Sequence, residues 1–285
     1  MDSALSWQEF QREQTRPTLA IDLPGFGESD LAGSDKYLDS VRLLDKIISK
    51  AGVDRYHLVG HSLGAALATG LADRYENVLS LTLISSAGFG PMPVLRLVNQ
   101  PLLQAALLRV GPLAMHSRHL VSFAYSNIFS WHEPIDEALL ARILADRNRV
   151  RPATRAGLAM LREVNDQPFN DINFSGPVLA IWGDHDQLTP YRKEAIVRAF
   201  PAAKIVCLCL AGVGHHPQYE ERARVSRALT KHLLQPQRQM QQKRPEASSS
   251  SPAPSAGTKL ARAEARAEEA ALPRTSPIKE QQSRS

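Results

Sequence analysis

The stretch YHLVGHSLG, residues 56–64, runs from an apolar segment into a serine flanked by two glycines, and a helix-forming segment from Ala65 to Tyr75 follows at once. This order of strand, tight turn and helix is the setting in which a Gly-x-Ser-x-Gly motif presents its serine hydroxyl. We predict that Gly60 and Gly64 are both required because a side chain at either position would collide with neighbouring backbone. Ser62 is therefore the candidate nucleophile.

A serine hydroxyl is a weak nucleophile until a base removes its proton, and histidine is the usual base. His215 and His216 follow the last apolar run, within GHHP at residues 214–217. We favour His215, because a loop histidine next to a glycine can reach back over the sheet edge, whereas His216 lies nearer the following helix. A solvated pair of loop histidines is the alternative.

The base in turn needs an acceptor on its second ring nitrogen, and a carboxylate beyond a strand end can supply it. The segment WGDHD, residues 182–186, offers Asp184 and Asp186. Asp186 lies further out in the loop and can turn toward His215, while Asp184 is better placed to hydrogen-bond the turn. The preceding strand ends in SSAG, residues 85–88, which holds no carboxylate and so favours Asp186.

Short apolar runs alternate with amphipathic segments, which predicts an α/β fold with a mostly parallel sheet and crossover helices. The candidate strands are Thr18 to Leu23, Tyr56 to Gly60, Leu79 to Ser85, Val178 to Trp182 and Ile205 to Leu210. The candidate crossover helices are Asp39 to Ala51, Ala65 to Tyr75, Tyr191 to Phe200 and Arg222 to Leu234.

Residues 88–173 interrupt this alternation with four predicted helices, namely Leu95 to Val110, Leu113 to Phe129, Asp136 to Arg149 and Thr154 to Val164. We predict a helical lid over the carboxyl ends of the strands, where ligands bind in such folds. The core then comprises residues 1–87 and 174–234. Residues 235–285 are rich in Gln, Ser, Pro and Ala and are expected to be disordered.

Charge and composition narrow the function classes. The net charge is +5, but residues 235–285 carry nine Lys/Arg and five Asp/Glu, which leaves 25 basic and 24 acidic residues before them. A nearly neutral folded part with 6% aromatic residues argues against nucleic-acid binding. No run reaches the roughly 18 apolar residues of a membrane span, and the start lacks a signal-peptide pattern. We expect a cytoplasmic protein.

Cys207 and Cys209 lie two positions apart on a predicted strand, so their side chains point to the same face. We do not expect them to form a disulfide with each other. We expect them to pack in the core of a protein from a reducing compartment.

Two features of the lid bear on a substrate. The residues Leu95, Leu97, Val98, Leu102, Leu103, Leu107, Leu108 and Val110 suit a hydrophobic acyl or aryl pocket, or simply pack the lid onto the sheet. The residues Arg147, Arg149, Arg151 and Arg155 could bind a substrate carboxylate, or face solvent.

Four motifs in order give the chain a resemblance to the α/β-hydrolase superfamily, in its branch of lidded esterases and carbon–carbon hydrolases. They are DLPGFGESD (22–30), VGHSLG (59–64), GDHD (183–186) and GHHP (214–217), and the resemblance extends from Thr18 to about Leu234. It implies a catalytic triad of Ser62, Asp186 and His215, with an oxyanion donor at the backbone N–H of Leu63. It implies no cofactor and no metal.

The resemblance also implies three strands before Asp22, the third ending in a His-Gly loop that donates a second oxyanion N–H. The printed sequence has neither, and its segment Trp7 to Gln14 resembles the first helix after that loop. Two explanations are open, a gene that starts upstream or a degenerate homologue, and the retained triad favours the first. Either way the two strands next to the missing one are expected to lack a partner.

Three functions follow as hypotheses. The first is hydrolysis of a carboxylic ester or thioester through an acyl-enzyme on Ser62, with a small hydrophobic substrate. The second uses the same residues to cleave a carbon–carbon bond in a keto-acid product of ring fission. The third is a non-catalytic binding protein that retains the fold. The oligomeric state and any docking role of residues 235–285 are left open.

Overall fold

The computed structural model describes residues 3–30, 35–114, 116–131, 134–135, 137–145 and 150–234. Its sheet has four parallel strands in the order β1-β2-β3-β4. They are β1 (Tyr56–His61), β2 (Val78–Ile84), β3 (Val178–Gly183) and β4 (Ile205–Leu210). Because every strand runs in the same direction, all four carboxyl ends lie at one edge of the sheet. The predicted disordered segment 235–285 lies outside the described residues.

Helices precede, join and follow these strands. They are α1 (Gln8–Glu13), α2 (Tyr37–Lys50), α3 (Leu63–Arg74), α4 (Pro93–Val98), α5 (Pro101–Ala114), α6 (Arg118–Ala124), α7 (Glu137–Ala145), α8 (Val150–Asp166), α9 (Lys193–Ala199), α10 (Pro217–Glu220) and α11 (Arg222–Leu233). A 3-10 turn covers Ala4–Trp7, and a π-helical turn, Tyr125–Phe129, extends α6. The predicted α/β class with a parallel sheet and crossover helices is confirmed.

The two central strands are buried on both faces, and their side chains alternate between two packing clusters. On one face, Leu81, Ala180 and Trp182 pack with α3 and with Ile196 of α9. On the opposite face, Ile84, Leu179 and Ile181 pack with Val225 and Leu229 of α11 and with Phe10 of α1. The sheet is thus covered by helices on both sides, and its loops are left to form a site at the carboxyl edge.

The predicted strand from Thr18 to Leu23 is wrong. This segment has no regular secondary structure, and Leu19 is 57% exposed. A strand is defined by the ladder that it shares with a neighbour, and within the described residues β1 pairs with β2 alone. The apolar pattern of residues 18–23 is that of a strand, but no described strand lies beside it.

The segment between β2 and β3 is helical, but the bounds of its helices differ from those predicted, and α8 extends beyond the predicted Thr154 to Val164 at both ends. The single helix predicted from Leu95 to Val110 is divided into α4 and α5, and Pro101 takes the first position of α5, where its missing N–H costs nothing. The helix predicted from Leu113 is replaced by α6, whose start is capped by the Ser117 side chain, and by the π-helical turn. We call residues 88–173 the insert.

The apolar residues singled out in the insert do not form one surface. Leu95 is buried, whereas Leu102, Leu103 and Val110 are exposed by 86%, 45% and 58%, so these three neither line an enclosed pocket nor pack on the sheet. The side chains of Leu97, Val98, Leu107 and Leu108 lie outside the described part of the chain. Of the arginine cluster, Arg155 is exposed, while Arg147, Arg149 and the Arg151 side chain lie outside the described residues.

The two cysteines are free thiols on β4, an edge strand. Cys207 is half-buried against the core, but Cys209 is exposed, so the expectation that both pack in the core is wrong for Cys209. A residue on an edge strand is covered on fewer sides than one on a central strand. Within the residues that the structure describes, no helix is long and apolar enough to span a bilayer.

His232 on α11 gives a stability prediction. Its side chain is buried, and burial lowers its pKa to about 4 because the cation loses its hydration. Between about pH 6.5 and 4 the unfolded chain therefore binds a proton that the folded chain does not, so the free energy of unfolding falls as the pH is lowered through this range.

We expect His232→Leu to make this fall less steep, by up to about 1.4 kcal/mol per pH unit. Urea unfolding at several pH values between 4 and 7 measures the slope for both proteins. Parallel curves for the variant and the wild type would contradict the prediction.

Candidate active site

The turn after β1 holds Ser62 in a rarely populated conformation, with φ of 54° and ψ of −119°. A Cβ at Gly60 would lie 2.5 Å from the Cα of Ala65, so the first turn of α3 packs directly on the strand end. The Ser62 N–H donates to the carbonyl of Ile84 at 2.9 Å, which ties the turn to the neighbouring strand. Positive φ in a non-glycine residue is strained and persists only where surrounding contacts enforce it.

The second glycine of the motif does not have the predicted steric role. A Cβ at Gly64 would meet only Leu23 Cδ1, at 4.0 Å, which is ordinary contact. The expectation that both glycines are required is therefore wrong for Gly64, because this residue lies in the first turn of α3 and faces away from the crowded strand end.

The structure brings the three predicted side chains together. Ser62 Oγ lies 3.0 Å from His215 Nε2, and His215 Nδ1 lies 2.9 and 3.0 Å from the two carboxylate oxygens of Asp186. His215 and Asp186 are buried, while Ser62 is half-buried and keeps an exposed side. The hydroxyl, imidazole and carboxylate thus form one hydrogen-bonded chain that leads from the surface inward.

Asp186 is held as a carboxylate. Burial opposes its ionisation, but the His215 ring and hydrogen bonds from Thr189 outweigh burial and hold the pKa of Asp186 below its ordinary value. The N–H groups of Leu188 and Thr189 donate to its Oδ1 at 3.0 and 2.9 Å, and Thr189 Oγ1 donates to its Oδ2 at 2.9 Å. Because these donors fix the Asp186 carboxylate in place, the carboxylate can orient the His215 imidazole and stabilise the protonated imidazole.

Asp184 and His216, the alternatives to Asp186 and His215, make other contacts. Asp184 Oδ1 accepts from His185 Nδ1 at 2.6 Å and from the N–H of Gly212 at 2.8 Å, so it holds the turn after β4. The His216 ring is buried, and it stacks on Tyr125 at 5.3 Å and Phe129 at 5.7 Å between ring centroids. Its ring is thus packed against the insert, whereas it is the His215 ring that contacts Ser62.

The loop after β4, which holds His215, packs closely against the end of β3. A Cβ at Gly183 would lie 2.1 Å from the carbonyl oxygen of Val213 and 2.3 Å from that of Gly214, so only glycine fits at the end of β3. The N–H of His185 donates to the Val213 carbonyl at 2.9 Å. The loop of Asp186 and the loop of His215 are therefore packed backbone to backbone.

His61, next to the predicted nucleophile, contributes to the same loop. Its Nε2 lies 2.8 Å from the carbonyl oxygen of His215, so this nitrogen carries the proton and donates it. Burial, together with the nearby His215 ring, lowers the pKa of His61 to about 3, so the ring is neutral at ordinary pH. A neutral donor holds the His215 backbone without placing a second charge beside the imidazole.

The predicted oxyanion donor, the Leu63 N–H, is the first amide of α3 and directly follows Ser62. Amides in the first turn of a helix have no acceptor within the helix, and the helix dipole favours negative charge there. The position thus suits an oxygen that gains negative charge during a reaction.

A small, open pocket lies next to Thr189, on the Asp186 side of this chain of hydrogen bonds. Its lining consists of residues 86–92 with Thr189, Pro190 and Arg192. Ser62 and His215 are not part of that lining, so we do not assign this pocket to a substrate.

Sequence reasoning missed three contributors. Thr189 follows Asp186 by three residues, the spacing of a side chain that bonds a local turn, and this signal was available. Glu220 accepts hydrogen bonds from the N–H groups of Gly214 and His216, on either side of His215. It occupies the first turn of α10, from which a carboxylate often reaches back to preceding N–H groups. His61 gave no signal, because its partner, the carbonyl of His215, lies 154 residues away in the sequence.

The contrast between the two motif glycines gives a prediction. Gly60→Ala should lower the free energy of unfolding by about 1–3 kcal/mol or prevent folding, because its Cβ would overlap backbone atoms of α3. Gly64→Ala, the matched control, should change it by less than about 0.5 kcal/mol. Thermal and urea unfolding measure both variants, and equal losses would contradict this account of the turn.

Comparison with known proteins places these features in a family. A family model described as alpha/beta hydrolase fold matches residues 3–222. A solved meta-cleavage product hydrolase from Pseudomonas fluorescens superposes with a TM-score of 0.61 at 19% identity, over 82% of this chain and 86% of that one.

Three curated relatives have names that describe three different kinds of enzyme. The dihydrolipoyllysine-residue acetyltransferase component of the acetoin cleaving system of Cupriavidus necator is 29% identical over 219 residues, which are 75% of this chain but 56% of that protein. A 2-hydroxy-6-oxononadienedioate/2-hydroxy-6-oxononatrienedioate hydrolase of Paraburkholderia phymatum is 27% identical over 76% of each chain. Lipase 1 of Psychrobacter immobilis is 27% identical over 70% of this chain and 63% of that protein.

The chain thus spans about half the length of its acetoin-system relative and about three quarters of the length of the Paraburkholderia phymatum hydrolase. The matched family model covers β1 to β4 together with every residue of the Ser62, His215 and Asp186 chain. The protein belongs to the α/β-hydrolase fold family.

Proposed function

We propose that this protein is a serine hydrolase that cleaves a carboxylic ester or thioester through an acyl-enzyme on Ser62. The observation that carries the proposal is the unbroken chain of contacts from Ser62 Oγ through His215 to Asp186, with distances of 3.0 and 2.9 Å. A serine at a strained turn, next to a buried imidazole and carboxylate, has the arrangement that activates a hydroxyl for attack on a carbonyl carbon.

In the first half of the reaction, Ser62 Oγ forms a bond to the substrate carbonyl carbon while His215 Nε2 takes the hydroxyl proton. His215 Nδ1–H donates to Asp186, which stabilises the imidazolium without itself taking a proton. The carbonyl oxygen becomes negatively charged and accepts from the Leu63 N–H. When the carbon–oxygen or carbon–sulfur bond breaks, the leaving group takes the proton from His215.

In the second half, water replaces the leaving group. His215 Nε2 accepts a proton from water, the hydroxide oxygen bonds to the acyl carbon, and Ser62 recovers its proton as the carboxylic acid is released. The sum is one ester and one water converted to an acid and an alcohol or thiol. His61 and Thr189 support both halves by fixing the backbone of His215 and the carboxylate of Asp186.

The insert is the candidate lid of this site. Its segment Phe129–Trp131 lies directly against the loop that carries His215, and the N–H of His215 donates to the Phe129 carbonyl at 2.8 Å. We propose that substrates enter between the insert and the sheet edge and that they are small and mainly hydrophobic, because the rings of the insert that stack on His216, the residue after His215, are aromatic.

Carbon–carbon hydrolysis of a keto-acid is the second candidate, and the ring-fission hydrolase from Paraburkholderia phymatum favours it. Such a substrate carries a carboxylate that needs a cationic partner. Arg155, the described member of the predicted arginine cluster, is exposed, and this favours the ester. A binding protein without catalysis, the third class, differs from both in leaving Ser62 unreactive.

Covalent labelling tests the proposal. A fluorophosphonate should phosphonylate the wild-type chain at Ser62, because His215 is in position to accept the hydroxyl proton. Ser62→Ala should not be labelled. Ser85→Ala is the matched control, since Ser85 also follows a strand end at positive φ, 45°, but bonds the site only through its backbone carbonyl, which accepts from Thr189 Oγ1 and is kept in the variant. Its labelling should equal that of the wild type.

The outcome is read by intact mass and peptide mapping, with circular dichroism to show that each variant is folded. A folded wild-type protein that takes no label at Ser62 would overturn the hydrolase proposal and favour the binding protein.

Paired assays separate the two enzyme candidates. We expect hydrolysis of a short chromogenic ester to have the larger kcat/KM, and cleavage of a 2-hydroxy-6-oxo-dienoate to have the smaller one. Arg155→Ala should leave both unchanged, because its side chain faces solvent. A larger kcat/KM for the dienoate, reduced by Arg155→Ala, would instead favour carbon–carbon hydrolysis.

A further inference from the structure

The carboxylate of Glu220 gathers backbone N–H groups from two separate parts of the chain. Its Oε2 accepts from Gly214 at 2.8 Å and from Trp131 at 2.9 Å, and its Oε1 accepts from His216 at 3.1 Å. Gly214 and His216 flank His215 in the histidine loop, while Trp131 belongs to the insert. One side chain therefore joins the insert to the loop that carries the predicted base.

The contact between insert and histidine loop is made by backbone. His215 itself donates its N–H to the Phe129 carbonyl at 2.8 Å, so the three consecutive amides of residues 214–216 all bond to Glu220 or to the insert. A Cβ at Gly214 would lie 2.7 Å from the Ser130 carbonyl carbon and 2.8 Å from the Trp131 nitrogen. With no side chain between them, a shift of segment 129–131 must disturb the loop.

The same segment also touches the loop of Asp186. The Trp131 ring stacks on His185 with 4.0 Å between centroids and 29° between planes, and His185 immediately precedes Asp186. On the other side, the His216 ring packs on Tyr125 and Phe129 of the π-helical turn. Both loops that complete the Ser62 site are thus in contact with one short stretch of the insert.

We propose that Glu220 is a positioning residue that couples docking of the insert to the alignment of His215. The proposal rests on the proposed function, since it concerns the proton transfer from Ser62. While segment 129–131 is docked, Glu220 and Phe129 hold the loop and His215 Nε2 stays 3.0 Å from Ser62 Oγ. When the segment moves away to admit a substrate, the histidine loop loses its contact with Trp131 and its acceptor at Phe129. His215 Nε2 is then no longer held within hydrogen-bond distance of Ser62 Oγ.

A carboxylate is suited to this role because three donors converge on it. Each of its oxygens has two lone pairs and carries part of a negative charge, which makes hydrogen bonds from amides short and strong. Glutamine has nearly the same shape, but its amide nitrogen would face an N–H donor instead of accepting from it. Glu220→Gln therefore removes at least one of the bonds without changing volume.

The test uses the fluorophosphonate reaction of the full chain, separated into the binding constant KI and the maximal rate kinact. Glu220→Gln should lower kinact by about tenfold to a hundredfold, because a misaligned base takes the proton more slowly, and should leave KI within about twofold. Glu221→Gln is the matched control, with the same charge change one residue away and no part in these bonds. It should react like the wild type.

Amide hydrogen exchange followed by mass spectrometry supplies a readout that does not require activity. Glu220→Gln should exchange faster at residues 129–131 and 213–216 together, whereas Glu221→Gln should not. Should Glu220→Gln fail to fold, Glu220→Asp keeps the charge but withdraws the carboxylate by one methylene. It is expected to show both effects to a smaller degree.

The outcomes separate the two proposals. Unchanged kinact in a folded Glu220→Gln that labels at Ser62 would overturn the coupling and leave the hydrolase proposal standing. A wild type that does not label would overturn the hydrolase proposal, and hydrogen exchange would then decide the coupling by itself. Faster exchange in the histidine loop alone, with residues 129–131 unchanged, would also overturn the coupling.

Discussion

The tight packing of α3 on the end of β1 is the constraint on which the candidate site depends. The backbone of Ala65 occupies the space that a Gly60 side chain would need, and the chain turns from strand to helix through Ser62 at φ of 54°. That turn holds the hydroxyl at the carboxyl edge of the sheet and starts the helix whose first amide lies beside it. The loops after β3 and β4 then need only to reach over the same edge.

A second close approach, between the end of β3 and the loop after β4, completes the candidate site. Gly183 admits the carbonyls of Val213 and Gly214, and the two loops carry Asp186 and His215 into contact as one packed layer. The buried carboxylate is stabilised by the His215 ring and by hydrogen bonds from Leu188 and Thr189 of its own loop, which together outweigh the cost of burying its charge. The insert is the part that can vary, and Glu220 is the point at which its position is transmitted to the histidine loop.

The strands β1 to β4 could be predicted because each is a short apolar run that ends at a turn residue. The same pattern failed at Thr18 to Leu23, because strand formation also requires a neighbour and sequence pattern describes only the segment itself. The order of Ser62, Asp186 and His215 was predictable since each follows a strand end. The bond of Glu220 to Trp131 was not, because it joins residues 89 positions apart and leaves no periodic pattern.

The most direct test of the central claim, that Ser62 is acylated during turnover, is to trap the intermediate. The protein is mixed with an activated ester, quenched in acid within the first turnover and digested with trypsin. Ser62 is the sole serine in the peptide from Tyr56 to Arg74, so fragmentation can locate the acyl group. If Ser62 is acylated during turnover, this peptide gains the mass of the acyl group at Ser62. Ester hydrolysis that proceeds with this peptide unmodified would contradict that claim.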